Sequence, residues 1–265
     1  NITGMSKDII SKGTDSSCDS QSALKDRVIS FIWQHLMLIV SLFVMTFGVA
    51  LCVRSNFGSS VISAIPLAMT LAGDSAQAPR LSIGEYTYLM NVVLVAIQIL
   101  VLRRRFEAVQ LFQLLIGFFF GFLLDVNMWL TQSVVCDALW SKILIQFAGC
   151  LVLGVGISVE IRCGSVTMPG EGVPAAISKA TGVAFAKAKI VVDICLVAGA
   201  VALCYAFFGR WLWNVVGPGT LFAMVFVGIV VRFCDSRMGW VDRILDYTPA
   251  LPRFLYGLAR NIYHR

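Results

Sequence analysis

Residues 163–193 read CGSVTMPGEGVPAAISKATGVAFAKAKIVVD, and how this stretch is read decides the fold. It lies between two long apolar runs. Its Gly, Pro and Lys content is too high for an ordinary membrane span, and its apolar content is too high for a free loop. A broken, partly inserted segment satisfies both conditions. Irregular backbone at membrane depth is tolerated only where protein buries it or a wet cavity solvates it, because lipid offers no partner to its N–H and C=O groups. The stretch is therefore a candidate binding site.

The rest of the chain agrees with a membrane setting. Its 265 residues are 58% hydrophobic and 14% charged, with a mean hydropathy of +0.83, outside the range of soluble globular domains. A bilayer needs about 20 apolar residues in a helix. The first apolar run, Trp33 to Val53, meets that length and reads as a retained span rather than a signal peptide. Residues 1–30 are polar and read as a disordered cytoplasmic tail. The eight cysteines are scattered through apolar runs without metal or disulfide spacing, so small buried hydrophobes are expected, with no metal and no cofactor. The formal charge of +6 comes from Arg and Lys beside the apolar runs, which points to anionic lipid at the cytoplasmic face and not to nucleic acid. No Walker A, HExxH or GxSxG pattern is present, and an enzyme is not expected.

Six runs are long enough to span: Trp33–Val53, Tyr86–Leu102, Val109–Leu130, Ile143–Ile161, Ile190–Phe208 and Val215–Phe233. Two shorter apolar pieces, Val61–Ala72 and Val173–Ala180, fall below spanning length. If both are re-entrant and the N-terminus is cytoplasmic, Arg103 to Arg105, Lys179, Lys187, Lys189 and Arg232 all fall on the cytoplasmic side, as the positive-inside tendency requires. The chain also repeats itself. Shifted by 106, FGVALCVRSNFGSS matches LGVGISVEIRCGSV, with Gly48 on Gly154, Gly58 on Gly164 and Ser59 on Ser165; NVVLVA from Asn91 matches DICLVA from Asp193 at a shift of 102, and Gly121 matches Gly228 at 107. Three spans per half make the second half enter the membrane the opposite way up. The expected fold is thus an all-α membrane protein with six transmembrane helices plus two re-entrant half-helices in a 3+3 inverted repeat. Its repeats are 31–135 and 136–236. A cytoplasmic interfacial amphipathic helix over 237–265 carries Leu251, Phe254, Leu255, Leu258 and Ile262 on one face.

Inverted repeats with discontinuous segments place solute sites at the interface between halves. Met168 to Gly172 reads as a turn, with Pro174 at the first helical position and Gly182 as the stop. Gly58 to Ser63 is its counterpart. Two helix N-termini would then meet and offer unpaired N–H groups to a polar or anionic solute. Glu171 is the sharpest candidate, as a solute or proton site. Met168, Gly170 and Gly172 line the site with their backbone, and Ser59, Ser60 and Ser63 do so in the first half. Asp193 is either a further site residue or an i, i+4 partner of Lys189. Asn91, Gln98, Asp125, Asn127 and Glu160 are candidates for a polar path, and Thr220 in the GPGT run is a minor one.

NFGSS (56–60), GSVTMPGEG (164–172), the Lys187, Lys189, Asp193 pattern and GPGT (217–220) together resemble the bacterial YczE/YyaS/YitT-like membrane proteins. The resemblance covers about Leu36 to Asp235. It implies a multi-pass protein of the bacterial inner membrane, of a kind often taken for transporters. Where that family has an acidic residue after the first Gly turn, this chain has Val61, Ile62 and Ser63. The expected function is a secondary transporter or permease for a small polar solute, anions included, bound at the bilayer midplane. The alternatives are a channel-like facilitator and a non-transporting membrane subunit or sensor. The expected partners are the solute, the lipid bilayer and a second copy of the chain in a homodimer.

Overall fold

The computed structural model describes residues 32–103, 106, 108–163 and 168–237, and among these the regular structure is entirely helical. The expected tail, Arg104, Arg105, Gly164, Ser165 and the amphipathic helix expected after Arg237 lie outside the described residues. Among the described residues five helices are long and apolar enough to cross a membrane: α1 (Ile32–Arg54), α3 (Ile83–Leu102), α4 (Phe112–Leu130), α5 (Leu139–Arg162) and α7 (Phe185–Phe208, apolar from Lys187). The sixth expected span is shorter. α8 covers Pro218–Arg237, and its apolar part ends at Cys234. Pro218 takes the first helical position, where a missing N–H costs nothing, so Val215 and Val216 stay in the turn before it.

α2 (Val61–Asp74) has 14 residues and α6 (Pro169–Thr181) has 13. At 1.5 Å per residue each is about 20 Å long, short of the roughly 30 Å hydrocarbon core. α2 begins where the sequence places it. α6 begins four residues earlier than expected, because Met168 to Gly172 is the N-cap and first turn of the helix and not a turn outside it. Pro169 is the first helical residue and Pro174 lies inside, as Pro66 does in α2. Gly182 ends α6 in the left-handed conformation at φ 74°, as its placement in the sequence predicts.

α1 and α5 cross at close range. A Cβ on Gly48 would stand 2.5 Å from the Leu153 nitrogen, and one on Gly156 would stand 2.8 Å from the Met45 nitrogen, so the two backbones are in contact. Small residues permit this approach, which dispersion then stabilises in the absence of a hydrophobic driving force between helices. α3 packs on α4 and α6, α2 on α3 and α7, α6 on α7, and α5 on α8. α7 buries only 17% of its apolar window against 56% for α1. A helix so apolar and so exposed, carrying Ile190, Val191 and Ile194 all more than half exposed, is stable only against lipid. The protein is an integral membrane protein.

Buried amides staple the bundle. Gln146 Nε2 donates to Gly219 O at 2.9 Å and its Oε1 accepts from Ser55 Oγ at 2.8 Å, joining α5 to the ends of α1 and α8. Asn127 Nδ2 donates to Thr46 Oγ1 at 2.8 Å, joining α4 to α1. Asp125 sits at the N-terminus of α3, accepting from Ser82 Oγ at 2.6 Å and Gly84 N–H at 2.8 Å, where the helix end favours a carboxylate. Asp125 and Asn127 thus tie helices together, and neither borders the cavity where α2 and α6 begin.

The glycine contacts predict a graded stability series. Gly48→Ala and Gly156→Ala should each destabilise by about 1–3 kcal/mol through overpacking. Gly228→Ala, whose Cβ would meet nothing within 4 Å, should be neutral or stabilising by up to about 1 kcal/mol through helix propensity. Thermal unfolding of the purified protein in detergent reads the order.

Candidate solute site

The first turns of α2 and α6 approach each other through a side chain: a Cβ on Gly170 would stand 2.5 Å from Ile62 Cδ1, so Ile62 reaches over the Gly170 backbone. Next to this junction is a cavity of about 230 Å³. Ser60, Val61 and Ile62 border it from α2 and its cap; Met168, Gly170 and Glu171 from α6; Lys189, Asp193 and Leu196 from α7; Met224, Val227 and Gly228 from α8. Met45, Phe120, Leu153 and Ile157 complete an otherwise apolar wall. The amides of Val61, Ile62 and Gly170 precede the first intrahelical bonds of their helices, which leaves donors at this end of the cavity.

Three charges share the cavity. Lys189 Nζ lies 3.1 Å from Glu171 Oε1 and 3.1 Å from Asp193 Oδ1. Lys189 and Asp193 meet because they are one turn apart on α7, as the sequence spacing predicts. Glu171 reaches the same ammonium from the first turn of α6. Glu171 does not take the N-cap N–H of its own helix, because the Met168 N–H goes to Glu160 Oε1 at 3.1 Å. The side chains of Glu171, Lys189 and Asp193 are 26%, 31% and 11% exposed, all at the cavity. Behind them Glu160, buried on α5, accepts the Met168 N–H at 3.1 Å and fixes where α6 begins.

Of the sequence candidates, Glu171, Gly170, Met168, Ser60 and Asp193 border the cavity. Ser63 lies just behind Ser60, the two hydroxyls 2.7 Å apart. The others serve elsewhere. Ser59 gives both its N–H and its Oγ to Val215 O, at 3.1 and 2.9 Å, and Thr220 Oγ1 accepts from Gly217 N–H at 3.3 Å. Together with the Gly219 N–H to Phe57 O bond of 2.9 Å, they latch the turn after α1 to the turn before α8. Gly172 faces α3, where a Cβ would stand 2.7 Å from the Gln98 amide. Gln98 itself donates to Pro169 O at 3.3 Å. Asn91 is fully buried between α3 and α4, away from the cavity. Lys189 is the site residue that sequence reasoning misses. Its i, i+4 partner is legible in the spacing, but its second partner on α6 is a tertiary contact. Among the described residues no group of His, Cys, Asp and Glu could hold a metal ion.

A helical membrane protein that keeps an ion cluster in an apolar cavity is the class that this fold and site define. By its sequence the chain belongs to the family of unknown function DUF6198, whose model matches residues 32–236. Comparison with curated proteins and with solved structures finds no match.

The ion cluster predicts energetic coupling between α6 and α7. Glu171→Gln and Lys189→Gln should each lower the unfolding temperature, and the double variant should lose less than the sum. A coupling of about 1 kcal/mol is expected, low in the range for contacting residues because the pair is partly solvated. Strict additivity would show that the two side chains do not interact.

Proposed function

We propose that the protein is a secondary transporter or permease for a small polar solute, bound in the cavity where α2 and α6 begin. The observation that carries this reading is the cluster of Glu171, Lys189 and Asp193 facing an apolar cavity. Ionised groups inside a membrane protein are costly and belong to solute or proton paths by default. The two acids and one lysine leave a formal charge of −1 on the wall, so the reading shifts from an anionic solute toward an uncharged or cationic one.

The inverted repeat and the re-entrant placement of α2 and α6 are part of the proposal. What supports them is a correspondence at a shift of 108 rather than 106. At 108, Gly48 pairs with Gly156 and Met45 with Leu153, so the two glycine contacts of the α1–α5 crossing exchange with each other. Arg54 pairs with Arg162 at the last helical position, Ser60 with Met168 as N-caps, and Pro66 with Pro174, each sixth in its helix. The packing of α3 on α6 exchanges with that of α2 on α7 in the same way. On this reading the repeats are 31–135 and 136–236, and both termini are cytoplasmic. The likeness to the YczE/YyaS/YitT-like proteins of the bacterial inner membrane belongs to the same proposal.

Two measurements test it. A thermal-shift screen of small amines, zwitterions, uncharged polar solutes and carboxylates should yield a stabilising compound. That compound should lose its effect in Glu171→Gln and should be taken up against a gradient by proteoliposomes. Unchanged binding and uptake in Glu171→Gln would remove the cluster from the mechanism. Passive, non-saturable flux would make the protein a channel. For the topology, single cysteines at Arg104 and Ser141 should label from opposite sides of the membrane with an impermeant reagent; labelling from one side sinks the six-crossing arrangement.

A further inference from the structure

The two halves carry matching positions with unlike side chains. Glu171 is third in α6 and Ser63 third in α2; Lys189 and Thr87 are fifth, and Asp193 and Asn91 ninth, in α7 and α3. The charged set faces the cavity. The neutral set is sealed: Ser63, Thr87 and Asn91 are each at most 1% exposed. Thr87 is satisfied by Ile83 O at 2.6 Å and Ser63 by Ser60 at 2.7 Å. Asn91 has no hydrogen-bond partner on either Nδ2 or Oδ1. A buried amide with neither end bonded is expensive and uncommon in native proteins.

The helices that flank these sets are also unlike. α4 presses on α3, with the Gly84 and Gly121 backbones touching and Gly117 so close to Asn91 that a Cβ would stand 3.0 Å from Nδ2. In the second half α7 and α8 make no comparable contact. Gly228, the partner of Gly121 at a shift of 107, has nothing within 4 Å of where its Cβ would be, and it borders the cavity between the two helices.

We infer that Asn91 belongs to a second, latent solute-binding position. The α3–α4 contact closes it in this structure, and it opens when α7 and α8 close over the cavity. Its neutral donors and acceptors suit an uncharged hydrogen-bonding group of the solute, such as an amide or hydroxyl. The inference rests on the repeat proposed above. It accounts for one orphaned amide and one unfilled helix contact together, since exchanging the two halves' conformations bonds the first and fills the second.

Cysteine labelling tests it without knowledge of the solute. In a cysteine-free chain, Asn91→Cys should react slowly but measurably with a membrane-impermeant methanethiosulfonate. Linking Tyr88→Cys to Phe118→Cys, whose native rings lie 5.7 Å apart across α3 and α4, with a short bifunctional reagent should cut that rate at least tenfold. Linking Leu196→Cys to Met224→Cys across the cavity should raise it several-fold. Rates unmoved by either link, or no reaction of the Asn91→Cys variant at all, overturn the inference. If the cysteine-free chain does not fold, hydrogen exchange of the native protein reads the same motion. Amides of residues 83–91 and 117–121 should then exchange at least tenfold faster than those of residues 45–52 in α1, and equal protection overturns the inference. A negative result here leaves the transport reading intact, because that reading stands or falls on solute binding to Glu171→Gln.

Discussion

Two helices too short to cross a bilayer meet at their first turns, and the rest of the bundle is arranged to stabilise that meeting. A helix end exposes backbone donors that lipid cannot satisfy. The start of α6 is met by groups from three other helices. Glu160 takes the Met168 N–H, Gln98 holds the other side by donating to Pro169 O, and Ile62 closes over Gly170. Pro169 suits the first helical position by its fixed φ, and the long helices that carry Glu160 and Gln98 supply the partners that this turn needs.

The polar residues of the bundle divide by task. Gln146, Asn127 and Gln98 reach backbone or hydroxyl groups on other helices and act as cross-links, each a hydrogen bond made in surroundings where water does not compete. Ser59 and Thr220 hold two turns together. Glu171, Lys189 and Asp193 differ from both groups: they tie α6 to α7 through charges that border a cavity. Their mutual attraction offsets part of the cost of desolvation, and partial exposure of Glu171 and Lys189 offsets more. That distinction between bonded staples and an ion cluster at a void separates the candidate site from the scaffold.

α7 gives the cluster its character. It is the least buried of the long helices, packed on α2 and α6 but hardly on α8. It turns Lys189 and Asp193 toward the cavity and exposes Ile190, Val191 and Ile194. The Lys189 bridge ties α7 to Glu171 at the start of α6, so the charge state of the cluster and the position of α7 are linked.

Much of the architecture was written in the order of the residues. The apolar runs mark the long helices to within a few residues, because the roughly 20-residue length of a span is a local quantity. Gly182 stops α6 because only its own backbone decides the left-handed conformation. Lys189 meets Asp193 because helix geometry alone brings i and i+4 together. Tertiary structure decided the remainder. Met168 to Gly172 has the composition of a turn, and it is helical because partners on α3 and α5 hold it so. Ser59 and Thr220 look like site residues until the two turns that carry them are seen latched together. Asn91 and Asp193 are each ninth in their helix, yet one is sealed and the other faces a cavity. What separates them is how closely a neighbouring helix approaches, a non-local property that no stretch of sequence contains.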